Sequence, residues 1–470
     1  MITERGILDL PARNRELILI ALAMVIGTVG FLSVDTARAQ SFSSSPLIAA
    51  MLFTLAYLAA HCVLRVLLPD ADPYILPITA VLTAIGLIEI HRISPELARD
   101  QSVWMALGLA LFIGVVVAFR DIRRLESLKY TCGALAVLLL LITIGLGTSV
   151  NGARLWLRVG GLQIQPGEFA KILLVTIGLG TSVNGARLWL RIGGLQIQPG
   201  EFAKILLVVF LAGYLRERRE VLAAPSRRVL GVGVPALRHA LPLLLLCGIA
   251  LVLLVAMNDL GSSLLFFVLA LAMIYIATGR LLYVGAGLGL FALGALGAVQ
   301  LTTHVQSRIG AWLDPWSVER TTGYQLAQSI YTIADGGVIG AGFGRGLILN
   351  AQGGTIIPYA QTDFIFSVIA NELGLLGAAA VILLYLLLAW RGFRIATTAD
   401  DGFSKLLAAG LATAVAFQAF VIVGGVVRLL PLTGLTLPFV SYGGSSVTAN
   451  FAIAALLLCL SQRANRERPL

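Results

Sequence analysis

The heptapeptide Met257-Asn258-Asp259-Leu260-Gly261-Ser262-Ser263 sets one carboxylate between two long apolar runs, Leu241 to Ala256 upstream and Leu264 to Ala277 downstream. An ionised carboxylate beside hydrocarbon is costly, which makes Asp259 the first candidate for chemistry. A carboxylate within hydrogen-bond reach of a hydroxyl can take its proton. The competing reading is a boundary residue that simply faces water. A second candidate pair, Glu201 and Lys204, follows Pro199-Gly200 at a spacing of three, which brings both onto one helix face and lets them pair. Such a pair serves equally as an orienting contact at a helix end or as a contact to substrate. Just before it, Ala186 to Ile192 alternates so that Arg187, Trp189 and Arg191 share one face. Gly193-Gly194 then turns the chain into Leu195-Gln196-Ile197-Gln198, the pattern of a compact hairpin. Its tryptophan suits a membrane interface.

The elements that must position these residues are membrane spans. Of 470 residues, 58% are hydrophobic and only 12% charged, a balance far outside that of soluble domains. Apolar runs recur at about 16–34, 47–68, 75–92, 102–119, 130–147, 202–215, 240–258, 261–278, 282–300, 362–390, 406–427 and 444–461. Most are long enough, at about 1.5 Å per residue, to cross a hydrocarbon core of about 30 Å. The expected fold is an all-α polytopic integral membrane protein with about twelve transmembrane helices and a large extracytoplasmic loop. We divide it into an N-terminal membrane region of four spans, 1–128, and a core, 129–470.

Orientation follows from the basic loops, because positively charged loops stay in the cytoplasm. Arg120, Arg123, Arg124 and Lys129 follow the fourth span, and Arg216, Arg218, Arg219, Arg227, Arg228 and Arg238 follow the sixth. Arg391, Arg394 and Lys405 follow the tenth, and Arg463, Arg466 and Arg468 close the chain. Both termini are therefore expected in the cytoplasm. The net charge of +10 reflects this bias, with attraction to anionic inner-leaflet lipids as a further contribution. No basic face interleaved with aromatics supports nucleic-acid binding. Thr36-Ala37-Arg38-Ala39-Gln40 has the look of a signal-peptide cleavage site, but Leu17 to Val34 is longer than a usual signal core and reads as an uncleaved first span. Cys62, Cys132, Cys247 and Cys459 lie in apolar runs without metal-ligand spacing, and His61, His91, His239 and His304 are scattered.

Thr143–Val175 and Thr176–Val208 are a tandem repeat identical at 32 of 33 positions, Val159 standing against Ile192. The copies are too few and too short for a solenoid or an inverted-repeat transporter. Phe169 to Val183 is too short and too broken by Gly and Ser to span a bilayer. The extra 33 residues are therefore expected at the outer surface or half-inserted, leaving later orientation unchanged.

The longest non-apolar segment, 301–361, falls outside by this count and reads as a working surface. It carries Arg308, Trp312, Gln325, Gln328 and the glycine-rich run Gly336 to Gly346, which lacks the preceding strand a dinucleotide loop needs. Asp363 starts the next span, which also carries Asn371-Glu372. Arg428 and the run Leu430 to Ser446, including Ser441, Tyr442 and Ser445, form the last outer loop. Irregular backbone at membrane depth is expected to line a cavity.

Taken together, NDLGSSL at 258–264, RIGAWLDPW at 308–316, GYQLAQS at 323–329, TDFIFSVIANELGLLG at 362–377 and PLTGLTLPFVSYGGSS at 431–446, with NGARLW and QIQPGEFAK, resemble the SEDS proteins of bacterial shape, elongation, division and sporulation. Pro358-Tyr359-Ala360-Gln361-Thr362-Asp363 departs from the P-E-x-H-T-D wording common there. The resemblance implies a glycosyltransferase in the bacterial cytoplasmic membrane that polymerises lipid II into peptidoglycan glycan strands. Undecaprenyl pyrophosphate leaves, and a class B penicillin-binding transpeptidase is the partner. Asp259 matches the family's essential aspartate and becomes the general base. Arg308, or a divalent cation such as Mg or Mn, is expected to steady the departing pyrophosphate. Arg187, Trp189, Glu201, Lys204, Arg308, Gln325, Gln328, Asp363, Ser441, Tyr442 and Ser445 are the candidate substrate contacts. A lipid-linked precursor flippase and a non-catalytic scaffold for the transpeptidase are the alternatives. One acid beside a large outer loop, with no proton-relay series through the inner spans, favours the transferase.

Overall fold

The computed structural model describes residues 11–37, 45–146, 157–159, 162–164, 181–183, 186–192, 195–223, 227–229, 232–234, 260–301, 303–349 and 354–466. Its helices are α1 (Ala12–Ala37), α2 (Ser45–Leu67), α3 (Ile75–Ile93), α4 (Pro95–Ala118), α5 (Arg123–Ser127), α6 (Lys129–Leu146), α7 (Pro199–Ala223), α8 (Leu260–Thr278), α9 (Leu281–Leu301), α10 (Thr303–Leu313), α11 (Tyr324–Gly336), α12 (Ile365–Thr398), α13 (Gly402–Val426) and α14 (Gly444–Arg466). Among the described residues, eight helices are long and apolar enough to cross a membrane, and two more carry shorter apolar stretches. Eleven of the twelve expected spans fall on these helices, and the twelfth, 240–258, lies outside the described residues. The chain is a helical integral membrane protein, to which short antiparallel hairpins add the only strands described.

Local chemistry sets several helix ends. Ser94 ends α3 in an extended conformation and caps α4, its Oγ accepting from the Leu97 N–H at 3.3 Å, with Pro95 at the first helical position. Asp401 caps α13 in the same way, accepting from the Ser404 N–H at 2.9 Å.

The chain forms two compact units. In the first, residues 1–125 with 281–470, α1 packs on α2 and α3, α4 on α14, and α12 on α13 and α3. Helices α3 and α14 are buried over 94% and 100% of their apolar windows, so they form its centre. A Cβ on Gly86, midway along α3, would strike the Val440 carbonyl, so glycine is what admits the irregular strand of chain there.

Segment 301–361, expected as a large loop between spans, carries helices of its own. It folds into α10, a series of turns and α11, because Leu326, Ala327, Ser329 and Thr332 give α11 a buried face that lies on α12. Ser329 Oγ is 2.7 Å from Ser367 Oγ and donates to the Val426 carbonyl at 3.1 Å. The glycine-rich run then wraps the kink of α12. Ala341 N–H and Gly342 N–H donate to the Asn371 and Glu372 carbonyls at 3.0 and 2.8 Å, and Leu375 N–H donates to Gly337 O at 2.9 Å. Gly340 has φ +88° and no room for a Cβ beside the Glu372 carbonyl, so its glycine serves close packing against protein.

In the second unit, residues 126–280, α7 packs on α6 and α8. Lys129 Nζ donates to Glu217 Oε1 at 2.5 Å and Tyr130 OH to Oε2 at 3.0 Å, joining the start of α6 to the end of α7. Hairpin β1–β2 (Leu157–Val159, Leu162–Ile164) pairs Leu157 with Ile164 and Val159 with Leu162. In the three-stranded sheet β3–β4–β5 (Thr181–Val183, Ala186–Ile192, Leu195–Ile197), Leu190 pairs with Ile197 and Ile192 with Leu195. Each pair in the second copy is the first copy's pair advanced by 33 positions, so the expected hairpin forms twice in one register. Most of the first copy, and with it the expected placement of the extra 33 residues, lies outside the described residues. A third hairpin, β6–β7 (Arg227–Val229, Val232–Val234), folds in the basic segment after α7, where the sequence reading had only a loop.

Candidate functional site

In the first unit the last irregular segment, 427–443, is the element around which the sequence-predicted residues gather. Arg308, partly buried on α10, donates from Nη1 to the Leu432 carbonyl at 3.2 Å. A Cβ built on Gly434 would lie 3.8 Å from both Arg308 Nη2 and Asp363 Oδ2. A cation and a carboxylate from separate elements, α10 and the turn before α12, thus converge on one bend. Gln325 on α11 donates to the Pro358 carbonyl at 3.1 Å, and Gln328, three residues on, is partly exposed.

Ser441 is committed on both sides. Its Oγ accepts from the Leu437 N–H at 2.8 Å and donates to the Thr362 carbonyl at 2.5 Å. Tyr442 N–H donates to Gln361 O at 2.8 Å, while burial and then the Asp100 charge push the Tyr442 hydroxyl above its usual range. Ser445 is buried at the start of α14. The segment is held by protein groups. Tyr385 OH donates to Pro438 O at 2.5 Å, Gln418 Nε2 to Thr436 O at 2.9 Å and Gln101 Nε2 to Ser441 O at 3.1 Å. Each bond satisfies a carbonyl that no helix or sheet partner reaches, the condition for irregular backbone away from water.

Two further sets anchor this side of the unit and were not among the sequence-predicted site residues. Arg428, at φ +62°, donates from Nε to the Trp312 carbonyl at 2.9 Å and from Nη2 to the Leu313 carbonyl, and its guanidinium lies 4.7 Å from the Trp316 ring centre. Trp312 Nε1 returns a bond to the Arg428 carbonyl at 3.2 Å, so α10 and the end of α13 are clasped together. Deeper in, Glu372 accepts from Arg92 Nε at 3.2 Å and from the Gly344 N–H at 2.8 Å, and Arg92 Nη2 donates to Gly346 O at 3.3 Å. The signal for this lock was charge inside apolar runs, at Arg92 and Glu372.

In the second unit, Lys204 Nζ donates to Glu201 Oε2 at 2.5 Å with both side chains buried, so the expected pairing forms in the first turns of α7. Arg187 and Trp189 stand on β4, whose backbone pairs on both edges, Trp189 opposite Thr181. Asp259 lies outside the described residues, immediately before α8, whose Ser262 and Ser263 are buried. No group of three or more His, Cys, Asp or Glu able to hold a metal ion occurs among the described residues.

The sequence matches the family model of FtsW, RodA and SpoVE, described as cell cycle protein, over residues 73–178 and again over 172–466. The two matched stretches meet at the seam of the tandem repeat, so each contains one copy. Peptidoglycan glycosyltransferase RodA of Mycobacterium tuberculosis H37Rv is 36% identical over 468 residues, covering 97% of this chain and 91% of that protein. The probable peptidoglycan glycosyltransferase FtsW of Geobacter metallireducens is 38% identical over 407 residues, 83% of this chain and 95% of its own length. Among solved structures, a chain of a peptidoglycan synthase complex superposes with a TM-score of 0.64 at 29% identity, covering 85% of this chain and 99% of that one. On this similarity, running nearly end to end, the chain belongs to the FtsW/RodA/SpoVE family of cell cycle proteins.

Proposed function

We propose that the protein is a peptidoglycan glycosyltransferase of the bacterial cytoplasmic membrane, with both termini in the cytoplasm. It polymerises lipid II on the outer side during elongation or division, beside a class B penicillin-binding transpeptidase. The observation that carries this reading is similarity along 97% of the chain to a protein named peptidoglycan glycosyltransferase. The convergence of Arg308 and Asp363 on the Gly434 bend supports it. In the reaction a sugar hydroxyl attacks an anomeric carbon, a new glycosidic bond forms, and the bond to pyrophosphate breaks with its electron pair leaving on undecaprenyl pyrophosphate. Asp259 takes the hydroxyl proton. Arg308 offers positive charge to the departing pyrophosphate. A divalent cation such as Mg or Mn would add positive charge at the same place.

Glycan-strand formation from purified lipid II, compared between this protein and Asp259→Asn with the transpeptidase partner present, tests the reading. Loss of a general base costs about 10²- to 10⁴-fold in rate. A folded Asp259→Asn protein that still polymerises at the wild-type rate removes Asp259 from the mechanism. A wild-type protein that makes no strands yet moves lipid II across vesicles replaces the transferase by a flippase.

A further inference from the structure

A groove of about 740 Å³ opens in the first unit between α1, α3, α12 and α14, lined by none of the residues at the Gly434 bend. Its volume is within the range of small-ligand sites. One stretch of its wall is apolar and outward-facing, with Leu22 54% exposed and Leu387 38% exposed, and Val81 also lines it. The other end is polar and carries Arg15, Arg391 and Arg394 with Asp70 and Asp72. The charges there do not cancel. Asp72 is taken by Arg391, whose Nε donates at 2.6 Å, and Asp70 by Arg466 at 3.1 Å with a further bond from Gln462 at 2.8 Å. Arg13, behind the groove, is paired with Glu16 at 2.5 Å.

Two cations are left over. Arg394 is exposed and lies 5.6 Å from the Trp390 ring centre, and Arg15 reaches only the Tyr74 hydroxyl, at 3.4 Å. Arg15 Nε is buried without a hydrogen-bond partner, and among the described residues neither arginine has an acidic partner. A buried guanidinium N–H with nothing to donate to is costly, and a phosphate oxygen is the acceptor that matches it best. Trp390, 53% exposed beside both Arg391 and Arg394, has the interfacial character of a headgroup-level residue.

We propose that this groove is a binding site for one anionic diacyl phospholipid, with its phosphate on Arg15 and Arg394 and an acyl chain along Leu22, Val81 and Leu387. An apolar wall open to the side, with two uncompensated arginines at one end, matches a molecule that is itself a charged head on an apolar chain. The site is independent of the glycosyltransferase reading and draws on none of its residues.

The full chain, purified in nanodiscs of equal parts phosphatidylglycerol and phosphatidylcholine and then analysed by native mass spectrometry, tests it. The wild type should retain phosphatidylglycerol over phosphatidylcholine by roughly thirtyfold, each arginine near a lipid headgroup contributing about a factor of five. Arg15→Gln with Arg394→Gln should bring the ratio close to one, and Arg15→Lys with Arg394→Lys should keep most of it, which shows that the fold survives change at both positions. Val81→Phe, which fills the wall without altering charge, should also lower retention. Arg320→Gln with Arg345→Gln removes the same charge elsewhere and should leave the ratio intact. The site is refuted by a wild type without preference, by a Gln pair that keeps it, or by a control pair that loses it equally.

Discussion

At the scale of single residues, the membrane interior makes charge legible and its partners illegible. Asp259, Glu201 and Glu372 stand out because a carboxylate within or beside an apolar run is expensive wherever it is not used or neutralised. The Glu201–Lys204 pair was also legible, since helical spacing alone brings them together. That Glu372 is held by Arg92, 280 positions earlier, was not, because nothing local connects the two. Glu89 is the residue left out of this arrangement. It is wholly buried on α3 against the Glu372 carboxyl, and among the described residues no N–H donates to either of its oxygens, while the nearby Arg92 guanidinium serves Glu372. Replacing it by an apolar side chain of similar size should therefore stabilise the protein. We expect Glu89→Leu to gain about 1–3 kcal/mol, read as a higher melting temperature in detergent. A lower melting temperature would mean that Glu89 helps to hold Arg92.

At the scale of elements, hairpins and caps were written locally, while packing was not. The turn Gly193-Gly194 specifies its hairpin so closely that the duplicated sequence repeats the same pairing in β1–β2. The glycine-rich run, by contrast, showed locally only that it lacks the strand of a dinucleotide loop. The kink at Gly374 and the carbonyls it exposes decided for packing. The junction of α6 and α7 gives a prediction in pH. Lys129, hydrogen-bonded to the Glu217 carboxylate, holds it below its usual range, with Tyr130 adding a second bond. A carboxylate with a lowered folded pKa contributes stability that is full above its unfolded value and is lost as pH falls through the folded one. Wild type should therefore melt slightly above Glu217→Gln at neutral pH, with the two curves converging in acid. The gap is small because Glu217 is 42% exposed and screened by water. Equal melting at every pH would show that the junction is held by its aromatic contacts, Phe210 on Tyr214 and Tyr130, instead.

At the scale of the whole molecule, the tandem repeat is the feature that the two family-model matches share out between them, one copy each. Removing Thr143–Val175 joins Ile142 to Thr176 and restores the same local sequence, so one hairpin and one entry to α7 remain. We expect the shortened protein to fold with an equal or higher melting temperature and to polymerise lipid II at least as fast as the full chain. Loss of folding would instead show that the first copy has become part of the structure.

Sequence alone determined the class of molecule, the positions of the spans and the helical face shared by Glu201 and Lys204, because hydrocarbon thickness, helical spacing and the cost of buried charge act locally and leave their mark residue by residue. Only the tertiary structure decided that α3 and α14 form the centre of their unit, and that segment 301–361 carries helices and packs α11 onto α12. It also decided that Arg308 and Asp363 meet at Gly434, and that Arg15 and Arg394 remain uncompensated after every neighbouring acid is paired. These outcomes depend on pairings tens to hundreds of positions apart, which are fixed by which polar groups still need a partner once the apolar faces have closed.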